Sequence, residues 1–168
     1  HHDLIFHAIL RAPTAGNLMM YSVIEVIDPQ KKATLAETCD HQPFIATAPL
    51  ILLFLADLQR LYDYYDFSKV PQFCSQKNKI YSTPRESDLL LACCDALIAA
   101  QNAVIAAESL GIGSCYIGDI MEQYEIHQKM FDLPRWTFPI ALVCFGYPKS
   151  TLSPENRQLN PRFDQNKV

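Results

Sequence analysis

The chain holds 168 residues, 49% of them apolar and 19% charged, a balance that suits one globular domain with a sizeable core and excludes a disordered chain. Its net charge of −4 argues against a nucleic-acid binder, which needs a basic face to displace counterions. The longest apolar run, Ala48 to Ala56, is nine residues. A membrane-spanning helix needs roughly 20.

In chain order, Leu4 to Arg11 reads as a helix with Leu4, Ile5, Ala8 and Ile9 on one face. Arg11-Ala-Pro-Thr-Ala-Gly-Asn17 ends it, because Pro13 cannot continue a helix and biases Ala12 away from helical geometry. This stretch carries a basic residue, a hydroxyl, a flexible backbone and an amide. It reads either as a capped turn or as a loop that grasps a polar ligand. Ser22 to Asp28 is rich in β-branched residues and reads as a strand. Pro29 opens a helix at its permitted first turn, with Leu35 and Ala36 inward and Lys31, Lys32 and Glu37 outward. His41 to Ile45 is an irregular connection. Leu50 to Ala56 is a continuous apolar strand, as expected of one covered on both faces.

Leu58 to Asp66 reads as a helix, and its Tyr62, Tyr64 and Tyr65 suit either a substrate entrance or a core or interface role. Phe67 to Glu86 is polar and mixed, and is expected as a long loop. Ser87 to Leu110 is the longest helical pattern. It is apolar nearly all round, so it belongs in a core or a subunit interface, and Gly111 terminates it. Ser114 to Ile117 reads as a short strand, Gly118-Asp119 as a turn, Gln123 to Phe131 as a helix and Pro139 to Phe145 as a last buried strand. From Tyr147 the tail is polar and punctuated by proline. No repeat or interdomain linker interrupts residues 1–168, which read as one domain.

Gly111, Gly113 and Gly118 miss the spacing of a dinucleotide fingerprint, and they follow a helix instead of a strand. Neither a P-loop nor a G-x-S-x-G elbow is present. The six cysteines include no C-x-x-C pair, and the histidines have no acidic or Cys partner at ligand spacing, so no metal is expected. Reduced thiols and the lack of a leader pattern point to a cytoplasmic chain. Cys115 lacks an identifiable base and reads as a buried structural thiol. Asp95 and Glu108 read as solvating or capping groups, and Trp136 as packing or a cover for a site. Missing acid–base machinery suits an enzyme whose cofactor does the chemistry. Asn17 and Gln42 could offer amides to such a cofactor, Tyr116-Ile117-Gly118 a wall, and Arg162 a phosphate contact.

An ordered set of segments resembles the nitroreductase family of FMN-dependent oxidoreductases. They are Arg11 to Asn17, Gln42-Pro-Phe-Ile45 with Ala48 to Asp57, Asp95 to Gly113, Cys115-Tyr-Ile-Gly-Asp119 and Cys144-Phe-Gly-Tyr-Pro148. The resemblance implies an α+β fold, a mixed sheet flanked by helices, in an intertwined homodimer with FMN at the subunit interface. It implies Thr14, Ala15, Gly16, Asn17 and Met19 along the flavin, with Met19 where relatives often carry Gln. Gln42 would reach the ring or ribityl chain, and Tyr116, Ile117 and Gly118 would pack over the ring. Arg162 would meet the phosphate, with Asn160 where relatives often carry Lys.

Family members also carry an R-R-S-x-R motif upstream of the first helix, and the expectation is that this N-terminal segment is missing here. The activity implied is ping-pong hydride transfer from NADH or NADPH to nitroaromatic, quinone or flavin-type acceptors, with no nucleic acid or membrane as partner. The alternative is a catalytically silent flavin-binding or partner-binding relative.

Overall fold

The computed structural model describes residues 1–148. Its elements are α1 (His2–Leu10), a 3-10 turn (Ala15–Asn17), β1 (Tyr21–Glu25), α2 (Pro29–Thr38), α3 (Phe44–Thr47), β2 (Leu50–Asp57) and α4 (Gln59–Phe67), followed by α5 (Val70–Gln76), α6 (Glu86–Ser109), β3 (Gly113–Ile117), a second 3-10 turn (Asp119–Met121), α7 (Tyr124–Met130) and β4 (Thr137–Gly146). The strands form one sheet in the order β1-β2-β4-β3.

The expected α+β class, a sheet flanked by helices, is the one observed. All three described strand pairings are antiparallel, so the parallel part expected of a mixed sheet is not among the described residues.

The sheet is covered on both faces because β2 alternates. Leu52, Phe54 and Ala56 face a core shared with α1 and α6, whereas Ile51, Leu53 and Leu55 face a second core shared with α2 and α3. In β4 the alternation changes phase. Ile140 packs toward α6, yet Leu142 and Cys144 face the opposite core. The cause is a bulge: Phe54 pairs with Ala141 and Leu55 with Pro139, which leaves Ile140 unpaired. A bulge also accommodates Pro139, which has no N–H to give the ladder.

Helix α6 crosses the sheet on a row of small residues. Ala92, Ala96, Ala99, Ala100, Ala103 and Ala107 are buried, at the spacing of one helix face. The opposite stripe, with Leu90, Leu97, Ile98 and Ile105, is exposed. The helix has 24 residues, long and apolar enough to cross a membrane by length and composition, but here its alanine face is packed against the sheet. Its C-terminus is a Schellman motif, with Ile112 N–H bonded to Ala107 O and Gly111 N–H to Glu108 O. Gly111 takes the positive φ of 75° that this ending requires.

Several local expectations are corrected. The 67–86 stretch is not all loop, since α5 lies within it with Pro71 in its first turn, where a missing N–H costs nothing. Strand β1 stops at Glu25 because Asp28 is already the N-cap of α2, accepting from Gln30 N–H at 2.8 Å. Leu4 is exposed, and α1 buries only Ile5 and Ile9. Lys31 and Lys32 are half-buried instead of outward. The Lys32 ammonium donates to Ala48 O at 2.9 Å, and that of Lys31 lies 5.0 Å from the centre of the Phe131 ring.

Candidate cofactor site

The loop before β1 has an unusual backbone. Gly16, Asn17 and Met19 all have positive φ, at 56°, 58° and 51°. Left-handed geometry costs roughly 1–2 kcal/mol at a residue with a Cβ, less at Asn, so neighbouring groups must hold the loop in place. Asp95 is the main one. Its carboxylate, 2% exposed on α6, accepts Ala15 N–H at 2.9 Å and Met20 N–H at 3.2 Å. Thr14 Oγ1 accepts Met19 N–H at 3.2 Å. The Arg60 guanidinium, from α4, donates to Met19 O and, at 3.3 Å, to Tyr21 O.

Arg60 is held in turn by Asp57 at the end of β2. Asp57 accepts from the Ser22 hydroxyl, from Arg60 N–H at 3.1 Å and from the Thr137 hydroxyl at 3.2 Å. Tyr21 sends its hydroxyl to Ile9 O at 2.8 Å, and burial pushes its pKa up. The loop leaves Gly16 and Asn17 exposed. Asn17, Leu18 and Met19 line one wall of a groove of about 370 Å³, and Arg60, Leu61 and Tyr64 line the other.

The remaining described candidates lie near the far edge of the sheet. Gln42 uses its Nε2 on Cys39 O at 3.0 Å and on the Asp119 carboxylate at 3.2 Å, which fixes its amide beside the Gly118-Asp119 turn with Oε1 left to accept. Tyr116 is 40% exposed, and its hydroxyl donates to Gln101 Oε1 at 3.4 Å. Ile117 is 1% exposed, so its side chain belongs to the core and only its backbone can face a ligand. Gly118 is exposed. Arg162 and Asn160 lie outside the described residues.

Strands β1 and β3 are opposite edges, with β2 and β4 between them. At ordinary strand spacing that separates the edges by roughly 14 Å. Helix α6 bonds to both groups, through Asp95 to the loop and through Gln101 to Tyr116. Asp95 and Cys115 differ from their sequence reading. Asp95 is a buried brace, and its one local signal was a carboxylate in the middle of an alanine-rich helix face. Cys115 is exposed, because β3 is an edge strand. Trp136 is half-buried, with the Arg135 guanidinium 4.6 Å from its ring. Among the described residues no cluster of three or more His, Cys, Asp or Glu could hold a metal.

Residues 3–147 match the Nitroreductase family. The chain belongs to that family. It is 33% identical over 150 residues to the FMN reductase [NAD(P)H] of Bacillus subtilis, covering 87% of this chain and 56% of that protein. The structure of the hypothetical oxidoreductase YcnD from Bacillus subtilis matches with a TM-score of 0.83 at 30% identity, over 99% of this chain and 62% of the other. The NADPH:FMN oxidoreductase from Vibrio harveyi complexed with NAD+ matches with a TM-score of 0.79 at 25% identity, over 98% of this chain and 64% of the other. The chain spans little more than half the length of the curated relatives it matches.

Proposed function

We propose that this nitroreductase-family chain is part of an FMN-dependent NAD(P)H oxidoreductase. The observation that carries the reading is the Thr14–Met19 loop, held in left-handed geometry by a buried carboxylate while Gly16 and Asn17 stay exposed. The donor set fits a flavin. The Asn17 amide and Gly16 backbone suit a polar ring edge or ribityl hydroxyls, the Gln42 carbonyl adds an acceptor, and the Tyr116 ring with the backbone of Ile117 and Gly118 adds a wall. Arg162 would meet the phosphate. When bound, FMN supplies hydride relay between NADH or NADPH and a nitroaromatic, quinone or flavin-type acceptor, in ping-pong order at one site.

The residues of this chain bind and orient, and none is assigned to proton transfer. Asp95 ties the loop to α6, and Arg60 ties it to α4 and the start of β1. Two observations support a homodimer with the site completed across its interface. The candidate residues sit at opposite sheet edges, and α6 exposes an apolar stripe that water alone would cover at a cost. We place the protein in the cytoplasm, in keeping with six free cysteines.

The test is direct. The full-length protein is titrated with FMN, then given NADH or NADPH with a quinone or nitroaromatic. Flavin uptake with loss of reduced nicotinamide is expected, and a protein that takes up no FMN overturns the reading. Flavin uptake without nicotinamide oxidation would instead select the catalytically silent alternative, which Met19 favours by its apolar side chain.

A further inference from the structure

Cys115 of β3 and Cys144 of β4 are direct register partners. Directly opposed residues of an antiparallel pair project to the same face, with Cα atoms about 4.5–5.5 Å apart. A disulfide takes Cα separations of about 4.4–6.8 Å, so the ladder alone brings this pair within bonding range. Among the described residues no other two cysteines are opposed in the sheet.

The two thiols differ in access. Cys115 is exposed on the edge strand, whereas Cys144 is 4% exposed in the core beneath α3. A groove of about 380 Å³ reaches both, walled by Phe44, Pro49 and Tyr147.

We propose that Cys115 and Cys144 are a hydroperoxide-responsive pair that closes into a cross-strand disulfide. The Cys115 thiolate attacks the terminal peroxide oxygen. The O–O bond breaks, alcohol or water leaves with a proton, and Cys115 becomes a sulfenic acid. The Cys144 sulfur then attacks the Cys115 sulfur, its proton leaving with the hydroxyl as water. Two thiols have been oxidised and one peroxide reduced. The order of events follows the environment. Burial, with the neighbouring Cys115 and Cys39 thiols, pushes the Cys144 thiol up to about 12, so Cys115 reacts first and Cys144 resolves it.

Closure would pin β3 to β4 one residue before Tyr116. The disulfide therefore also regulates the candidate cofactor site, a consequence that rests on the flavin reading, whereas the disulfide itself does not.

The experiment treats the reduced full-length protein with hydrogen peroxide, caps remaining thiols and maps the peptides by mass spectrometry. A Cys115–Cys144 peptide two hydrogens lighter than its two thiol peptides, abolished by dithiothreitol, is expected. In Cys144→Ser, Cys115 should be trapped as a sulfenic acid by dimedone, and in Cys115→Ser, Cys144 should stay reduced. Wild-type Cys115 that stays reduced, runs on to sulfinic acid without a cross-linked peptide, or links two chains overturns the proposal. FMN titration then separates the two readings. A several-fold difference in Kd between reduced and oxidised protein supports regulation of the site, and equal Kd values overturn it. A reduced form that binds no FMN removes the flavin reading and leaves the mass result standing.

Discussion

Asp95 and Ala15 are 80 residues apart in the chain and joined by a 2.9 Å hydrogen bond from the Ala15 N–H to the buried carboxylate. The second carboxylate oxygen takes Met20 N–H, so one side chain of α6 fixes both ends of the candidate flavin loop. Asp95→Ala strands both amides and is expected to lose about 1–3 kcal/mol for each one that water cannot reach. Asp95→Asn keeps one acceptor and should lose about half as much. Urea unfolding measures the loss, and amide exchange at Ala15 and Met20 should quicken in both variants. Unchanged exchange would remove Asp95 from this role.

Gly111 isolates a purely conformational cost. Its φ is 75°, and a Cβ built there meets nothing within 4 Å. Gly111→Ala should therefore destabilise by about 1–2 kcal/mol through left-handed strain alone. Gly111→Asn should recover part of this, because Asn tolerates that region. Denaturant midpoints at constant m value check both.

His127 is fully buried, with Nδ1 2.7 Å from Ile120 O and Nε2 2.8 Å from Thr38 Oγ1. Burial lowers its pKa from the ordinary 6.5, against a smaller upward pull from the Ile120 carbonyl. The unfolded chain thus takes up a proton near pH 6.5 while the folded protein takes it up only at lower pH. Between those two values the unfolded state binds more protons, so stability is full above the unfolded pKa and is lost as pH falls toward the folded one. Urea midpoints should drop across that window in the wild type and less steeply in His127→Gln. Equal slopes would show that another group is responsible.

Ile105 is 58% exposed in the outer stripe of α6, aligned with Leu90, Leu97 and Ile98. If two copies pack there, Ile105→Glu desolvates a carboxylate on assembly. Sedimentation should show a dimer in the wild type and mostly monomer in the variant, with far-UV circular dichroism unchanged. A wild-type monomer, or a variant that remains dimeric, counts against this face.

Much of the molecule was legible locally. Pro29 at a helix start, Gly111 at a helix end, and the unbroken apolar run of β2 each state their geometry within a few residues. Even the doubly covered strand followed from composition, because alternation is needless when both faces are buried. The short α5 was hidden because it buries none of its seven residues, so no apolar face marks it in the sequence.

The sequence by itself determined the four strands and every helix but the short α3 and α5, the family and the polar character of the Arg11–Asn17 stretch. Tertiary structure alone decided that Asp95 braces that loop, that Cys115 faces Cys144, and that the loop and Tyr116 stand at opposite sheet edges. The reason is physical. Propensity, capping and chain stiffness act over a few residues and leave their mark in local spacing. Strand register and helix docking join residues scores of positions apart, and they exist only once the two cores have closed on the sheet.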